Sequence, residues 1–236
     1  MKKIRYVLIA LALILAFGRP ALAGDRFQTS LNFLIGHPQN EFGQNVDRTF
    51  YGMSGEFFYR LPRSPFSVGI SLEYLNYGSE TRVEPFSCYI PDVLVDVTTR
   101  NSLFSSVAVI RLSPVEGFFR PYVEALIGFN YLFTFTSVND YGDWSQDIAT
   151  TTNLDDWSLT YGAGAGAVVR ALEIRSNWAQ PIFSIHMEIG VRYHKGGIAE
   201  YLREGSIRRE QGSFWYEPMI SDTDLLKIHL GIVFRF

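Results

Sequence analysis

The sequence predicts an all-β fold, an eight-stranded antiparallel up-and-down transmembrane β-barrel, and three observations lead there. Apolar residues recur at every second position in eight segments of about ten residues, the length a tilted strand needs to cross a bilayer. The connections between these segments alternate between short and long, as in barrels with tight turns on one side of the membrane and extended loops on the other. The chain is 47% hydrophobic with 19 Phe and 13 Tyr, yet no apolar run after residue 24 is long enough for a helical span. Its apolar content is dispersed, as in a wall where only alternate residues meet lipid.

Ahead of the first strand, Lys2, Lys3 and Arg5 precede an apolar run from Tyr6 to Phe17, followed by Arg19, Pro20 and the small residues Ala21 and Ala23. This is the order of a secretory signal peptide, and the run falls short of the roughly 20 residues of a membrane helix. Cleavage is expected between Ala23 and Gly24, dividing the chain into a signal peptide at 1–23 and an outer-membrane barrel domain at 24–236. The lone cysteine, Cys88, has no partner for an intramolecular disulfide and falls in a surface loop.

The first strand, Phe27 to Ile35, sends Phe27, Leu31, Phe33 and Ile35 outward and Gln28, Ser30 and Asn32 inward. The second, Thr49 to Arg60, sends out Tyr51, Met53, Phe57 and Tyr59. The third, Phe66 to Tyr77, sets Phe66, Val68, Ile70, Leu72 and Tyr74 against Ser67, Gly69, Ser71 and Glu73, and the fourth ends near Leu112. The fifth, Phe119 to Thr134, alternates Val123, Ala125, Ile127, Phe129, Tyr131 and Phe133 against Arg120, Glu124, Gly128 and Asn130. In the sixth, Trp157 to Arg170, Tyr161, Ala163, Ala165 and Ala167 oppose Gly162, Gly164, Gly166 and Arg170. The seventh, Pro181 to His194, opposes Phe183, Ile185, Met187, Ile189, Val191 and Tyr193 to Ser184, His186, Glu188, Gly190 and Arg192. The eighth, Lys227 to Phe236, continues the face of Leu226 through Ile228, Leu230, Ile232, Phe234 and Phe236, with Lys227, His229, Gly231 and Arg235 opposite. Such sorting of charge at period two is a strand signal.

Leu61 to Pro65, Ser113 to Phe118 and Ala171 to Gln180 are the short connections, assigned to the periplasm. His37 to Arg48, Gly78 to Asp96, Ser137 to Asp156 and Gly196 to Asp224 are the external loops. With eight strands both termini are periplasmic. Interfacial aromatics agree with this arrangement: Tyr59, Phe66, Phe119, Phe183, Phe234 and Phe236 gather at periplasmic ends, and Tyr51, Tyr74, Tyr131, Phe133, Trp157 and Tyr193 at external ends. A soluble barrel of the lipocalin type would put the apolar face inside and leave these girdles unexplained.

Removing the signal peptide takes four of 21 cationic residues and none of the 24 acidic ones, leaving a net charge of −7, which disfavours nucleic acid as a partner. An eight-stranded barrel is only wide enough for side chains to fill. The inward set comprises Glu56, Arg60, Glu73, Arg111, Arg120, Glu124, Arg170, His186, Glu188, Arg192, Lys227, His229 and Arg235. Charges buried this way need partners, so they are expected to pair and plug the lumen, the alternative being a polar pathway. Ser184, His186 and Glu188 share an inward face and invite a hydrolase reading. Same-face neighbours lie roughly 6.6 Å apart, too far for nucleophile and base to touch. No catalytic, cofactor-binding or metal-ligating residue is therefore assigned.

The third external loop carries Asp140, Asp143, Asp147, Asp155 and Asp156 without Lys or Arg; a solvated acidic loop or oxygen ligands for a divalent cation both fit. The fourth mixes Arg203, Arg208, Arg209, Phe214, Trp215 and Tyr216, suited to sugar or lipid phosphate, or to packing over the barrel mouth.

Residues 24–236 thus resemble the small outer-membrane barrels of the OmpA and OmpX kind, on the signal peptide, the eight segments and the final Phe236. The last strand, with Phe234 and Phe236, resembles the segment that the outer-membrane assembly machinery recognises. The class includes membrane-stabilising, adhesive and host-interacting proteins, narrow channels and lipid A modifying enzymes, so the resemblance implies architecture and a place in the bacterial outer membrane but not one function. The leading expectation is a monomeric, non-enzymatic barrel without a cofactor, in contact with outer-membrane lipid and lipopolysaccharide, whose loops serve surface interaction or envelope integrity through an extracellular ligand the sequence does not identify. Two alternatives stand beside it. Gly162, Gly164 and Gly166 leave room for a narrow channel. A lipid-modifying enzyme is the other, against which His186, His194 and His229 all point inward.

Overall fold

The computed structural model describes residues 26–87, 90–140, 147–175, 181–210 and 213–235. The Ala23/Gly24 cleavage site, Cys88, Asp143 and Phe236 lie outside them, as do the side chains of Asp140, Asp147, Phe183, Arg208, Arg209 and Phe214. Eight strands form the wall: β1 (Phe27–Pro38), β2 (Phe50–Arg60), β3 (Phe66–Ser87), β4 (Ile90–Leu112), β5 (Phe119–Asp140), β6 (Asp147–Arg175), β7 (Pro181–Gly196) and, after four short strands, β12 (Leu225–Arg235). Each pairs antiparallel with its chain neighbour, and β1 closes the ring against β12 from Gln28↔Arg235 to Pro38↔Leu225.

The period-two pattern sorts faces as the side chains demand. Leu31, Phe33, Met53, Ile70, Leu72, Ile127, Phe129, Leu159, Met187, Ile189, Leu230 and Ile232 are exposed on the outside. Ser30, Asn32, Glu56, Ser71, Glu73, Glu124 and Glu188 are buried inside. This is an inverted protein: a soluble chain of this size would not leave so large an apolar surface uncovered. Tyr51, Tyr74, Trp157 and Tyr193 stand exposed toward the long-loop end, and Phe66 and Phe119 toward the short-turn end. Tyr131 stacks on Trp157 with ring centroids 4.4 Å apart.

In two of the expected external loops the described residues are instead strand. β3 and β4 stay paired from Gly78↔Asn101 to Ser87↔Ile90, and β4, β5 and β6 continue beside them to Val95↔Asp140 and Asn139↔Asp147. The expectation of loops at Gly78 to Asp96 and Ser137 to Asp156 failed because, within this stretch, Ser79 to Arg82 and Thr150 to Asn153 are polar at every position, so period two carries no hydropathy contrast there. Cross-strand hydroxyl pairs tie it together, Thr81 to Thr98 and Thr99 to Thr136, each at 3.0 Å.

The first and fourth connections close the long-loop end. Helix α1 (Asn40–Asn45) follows β1, and β8 (Ile198–Tyr201) pairs with β11 (Met219–Asp222) while β9 (Ile207–Glu210) pairs with β10 (Ser213–Tyr216). Asn40 enters the helix at φ 53°, a left-handed conformation that Asn tolerates well. Phe42 points down into the mouth, packing edge-on against Phe50 and Tyr201 at 5.5 and 5.0 Å. Leu34, Leu75, Tyr77, Leu103, Leu132 and Leu225 complete an apolar core inside this end of the barrel.

Candidate functional site in the barrel interior

Below that apolar layer β2 to β5, β7 and β12 aim charged side chains at one another across the lumen. Arg111 donates from Nε to Glu124 at 2.9 Å and lies 3.0 Å from Glu188 and 3.4 Å from Glu56. Its guanidinium is sandwiched between Phe58 and Tyr122, 4.3 and 4.0 Å from the ring centroids. Arg192 reaches Glu124 and Glu56 at 2.6 Å and Glu73 at 3.1 Å. Lys227 donates to Glu73 at 2.5 Å. Ser30 and Ser71 donate to Glu56, and Asn32 to Ser54 at 3.0 Å. Arg111, Arg192 and Lys227 thus interlock with Glu56, Glu73, Glu124 and Glu188, every one of the seven at most 5% exposed.

Two residues join this cluster that the sequence reading did not single out for it. Tyr122 donates to or accepts from His229 Nε2 at 2.7 Å, and His194, fully buried, sits 4.0 Å from Glu73. Tyr122 could have been found as the one aromatic at an inward position between Arg120 and Glu124.

The glycines of β6 do not line open space. A Cβ at Gly164 would lie 2.9 Å from both Arg192 and Glu124, and one at Gly166 would strike the Tyr122 hydroxyl. Their missing side chains are the room the cluster occupies.

Four of the inward arginines stand apart from it, Arg120 on His186 and Arg235 on Gln28 at the short-turn end, and Arg170 and Arg60. Arg170 is displaced by a register shift between Arg170 and Leu172, leaving its side chain 39% exposed and paired with Glu173 at 2.9 Å. Arg60 turns to the adjacent short turn and donates to the carbonyl of Val115 at 3.2 Å.

At the short-turn end Ser184 and His186 do touch, Oγ to Nε2 at 2.8 Å, against the expectation that same-face spacing keeps them apart. The side chains lean together along the strand, which Cα spacing does not capture. The contact is nonetheless aimed the wrong way for nucleophilic catalysis. Arg120 Nη2 lies 3.1 Å from His186 Nδ1 and can only donate, so Nδ1 accepts and the neutral ring carries its proton on Nε2, facing Ser184. A general base needs a lone pair there.

At the long-loop end Asp155 and Asp156 are engaged in structure. Asp155 accepts from the Tyr131 hydroxyl at 3.0 Å, and Asp156 from the backbone N–H of Glu200 at 2.8 Å. No cluster of three metal-ligating side chains occurs among the described residues. Asp224 latches the first and fourth connections: its carboxylate accepts from Asn40 at 2.7 Å, Lys195 at 2.9 Å and Tyr193 at 3.1 Å. Burial opposes ionisation of Asp224, but the hydrogen bonds from Lys195, Asn40 and Tyr193 outweigh it and hold the carboxyl below its ordinary range. Beside the latch, an open cleft is lined by Asn45, Asp47, Arg48, Glu80, Arg203 and Glu204, with Arg48 ion-paired to Glu204. Trp215 and Tyr216 of the fourth connection are exposed.

No family model matches the chain, and no curated protein does. Among solved structures it is similar to Neisserial surface protein A, with a TM-score of 0.44 at 12% identity over 89% of this chain and 97% of that one. It is similar also to Ail, the attachment invasion locus protein of Yersinia pestis, solved with the heparin analogue sucrose octasulfate, with a TM-score of 0.43 at 14% identity over 91% of this chain and 100% of that one. A major outer membrane protein from Thermus thermophilus follows with a TM-score of 0.40 at 12% identity over 89% and 99%.

Proposed function

We propose that the chain is an integral barrel of the bacterial outer membrane, non-enzymatic and closed to solutes, whose external face serves surface interaction or envelope integrity. The observation that carries this reading is the ion-paired cluster of Arg111, Arg192 and Lys227 with Glu56, Glu73, Glu124 and Glu188, which fills the lumen at mid-height under an apolar lid. The exposed apolar band supports the membrane placement, since lipid is the medium in which that surface costs nothing to expose. With short turns in the periplasm, the signal peptide at 1–23 would deliver the chain and Phe234 with Phe236 would present it to the assembly machinery. Lipopolysaccharide would then meet the aromatic ring of Tyr51, Tyr74, Trp157 and Tyr193, around a barrel that functions as a monomer.

The test is single-channel conductance of the refolded barrel in a planar bilayer, with heat-dependent gel mobility as the check of folding. A folded, non-conducting protein is expected. Steady conductance would replace this reading with that of a narrow channel.

A further inference from the structure

The open cleft at the long-loop end lies between the segment that leaves α1 and the turn that follows β8. Its volume of about 370 Å³ falls within the about 300–1,000 Å³ usual for small-molecule sites. Both walls are held by contacts of their own. Glu80 pairs with Arg82 at 2.8 Å and accepts from the Gly205 amide at 3.2 Å, and Arg82 donates to the Ile207 carbonyl at 2.7 Å, which ties the turn to β3. Asn45 donates to the Tyr201 hydroxyl at 2.9 Å and ties the opposite wall to β8.

Four other charged side chains line the cleft in mirrored order, Asp47 and Arg48 on one wall, Arg203 and Glu204 on the other. Arg48 donates to Glu204 at 3.1 Å between the walls. These two side chains are 56% and 28% exposed, so the pair contributes little to stability and exchanges readily. Asp47 and Arg203 have no side-chain partner among the described residues. A simple anion would find both guanidiniums but also face Asp47 and Glu204, and a simple cation would meet the reverse. A molecule carrying both signs answers all four.

We propose that this cleft binds a small zwitterion with an ammonium at one end and a carboxylate at the other, as in a short free peptide. Arg203 and Arg48 take the carboxylate, whose two oxygens match a guanidinium fork. Asp47 and Glu204 accept from the ammonium, which has three hydrogens to donate. Binding here needs neither the closed lumen nor the bilayer; only access from the outside medium rests on the membrane orientation proposed above.

Dialanine, trialanine and tetraalanine titrated calorimetrically into the refolded barrel in a non-ionic detergent should include at least one that binds saturably. Acetylating the amine of that peptide, or amidating its carboxylate, should each weaken binding about tenfold or more, the loss of a charged hydrogen-bonding group. Asp47→Asn and Arg203→Gln should each do the same to the free peptide, while Arg63→Gln, in an exposed turn at the other end of the barrel, should leave it unchanged. Asp47 and Arg203 are themselves exposed, so both variants should fold, with gel mobility as the check. Absence of saturable binding by all three peptides overturns the site. So does equal affinity for a free and a blocked peptide, or equal affinity of wild type with Asp47→Asn or with Arg203→Gln. Conductance is a separate readout, so failure of peptide binding leaves the closed barrel standing, and a conducting barrel leaves the cleft standing.

Discussion

The hydroxyl of Tyr122 lies 2.7 Å from Nε2 of His229, and the two side chains meet in the space left by Gly166 and Gly190. Tyr122 in turn forms one face of the sandwich around Arg111. The barrel interior is therefore packed to the tolerance of a soluble core, with glycine used where two large polar side chains must pass the wall.

A methyl group at Gly190 would sit 2.5 Å from the Tyr122 hydroxyl and 2.6 Å from the His229 ring. Gly190→Ala should destabilise the barrel by about 1–3 kcal/mol, the range for overpacking, read from urea unfolding in lipid vesicles. Tyr122→Phe removes the struck atom, so the double variant should fall short of the sum of the two single losses.

Lys227 depends on Glu73, with Ser105 at 3.3 Å as its other hydrogen-bond partner. Glu73→Gln should cost about 3–5 kcal/mol by leaving a buried ammonium uncompensated. Adding Lys227→Met should recover most of that loss. Equal stability of Glu73→Gln and the double variant would show that the Lys227 charge is not the source of the cost.

Two seals lie in series along the lumen, the Arg192 crossing and the Phe42 lid. Neither Arg192→Ser nor Phe42→Ala should conduct alone, while the pair together should give steady single-channel current. Conductance from Arg192→Ser by itself would mean that the apolar layer is not watertight.

The latch at Asp224 has a pH dependence with a defined sign. Its carboxyl titrates lower in the folded protein than in the unfolded chain, so its contribution is complete at neutral pH and is lost as pH falls through the lowered folded value. The Gly196 amide, which donates to Asp224 at 3.1 Å, should keep its hydrogen-exchange protection factor until strongly acid pH. In Asp224→Ala that protection should be low at neutral pH.

How much of this was legible in sequence depended on hydropathy contrast. In β3, Phe66, Val68, Ile70, Leu72 and Tyr74 against Ser67, Ser71 and Glu73 meet lipid on one side and charge on the other, so the face of every residue could be read. The contrast vanishes where both sides see the same medium. Above the apolar band Ser79 to Arg82 and Thr150 to Asn153 are polar on both faces, and the strands read as loops. At the mouth Leu34, Leu75 and Leu132 are apolar inside as well as out, so the lid core could not be separated from the wall. Partner choice was less legible still: that inward charges would meet could be argued, but not that Arg170 would be diverted to Glu173 by a bulge, nor that Arg111 would be flanked by Phe58 and Tyr122.

The seam where Gln28 faces Arg235 has a kinetic meaning. It joins residues 207 apart in sequence, the contact of longest range in the ring. Loop-closure entropy grows only slowly with length, so the seam adds little thermodynamic burden, but long-range pairing is slow to find. Until β12 arrives, β1 and β7 each present a row of unsatisfied N–H and C=O groups, which hydrocarbon does not tolerate. Every earlier hairpin is thus an open ribbon, and the chain becomes a membrane protein only with the docking of its last eleven-residue strand.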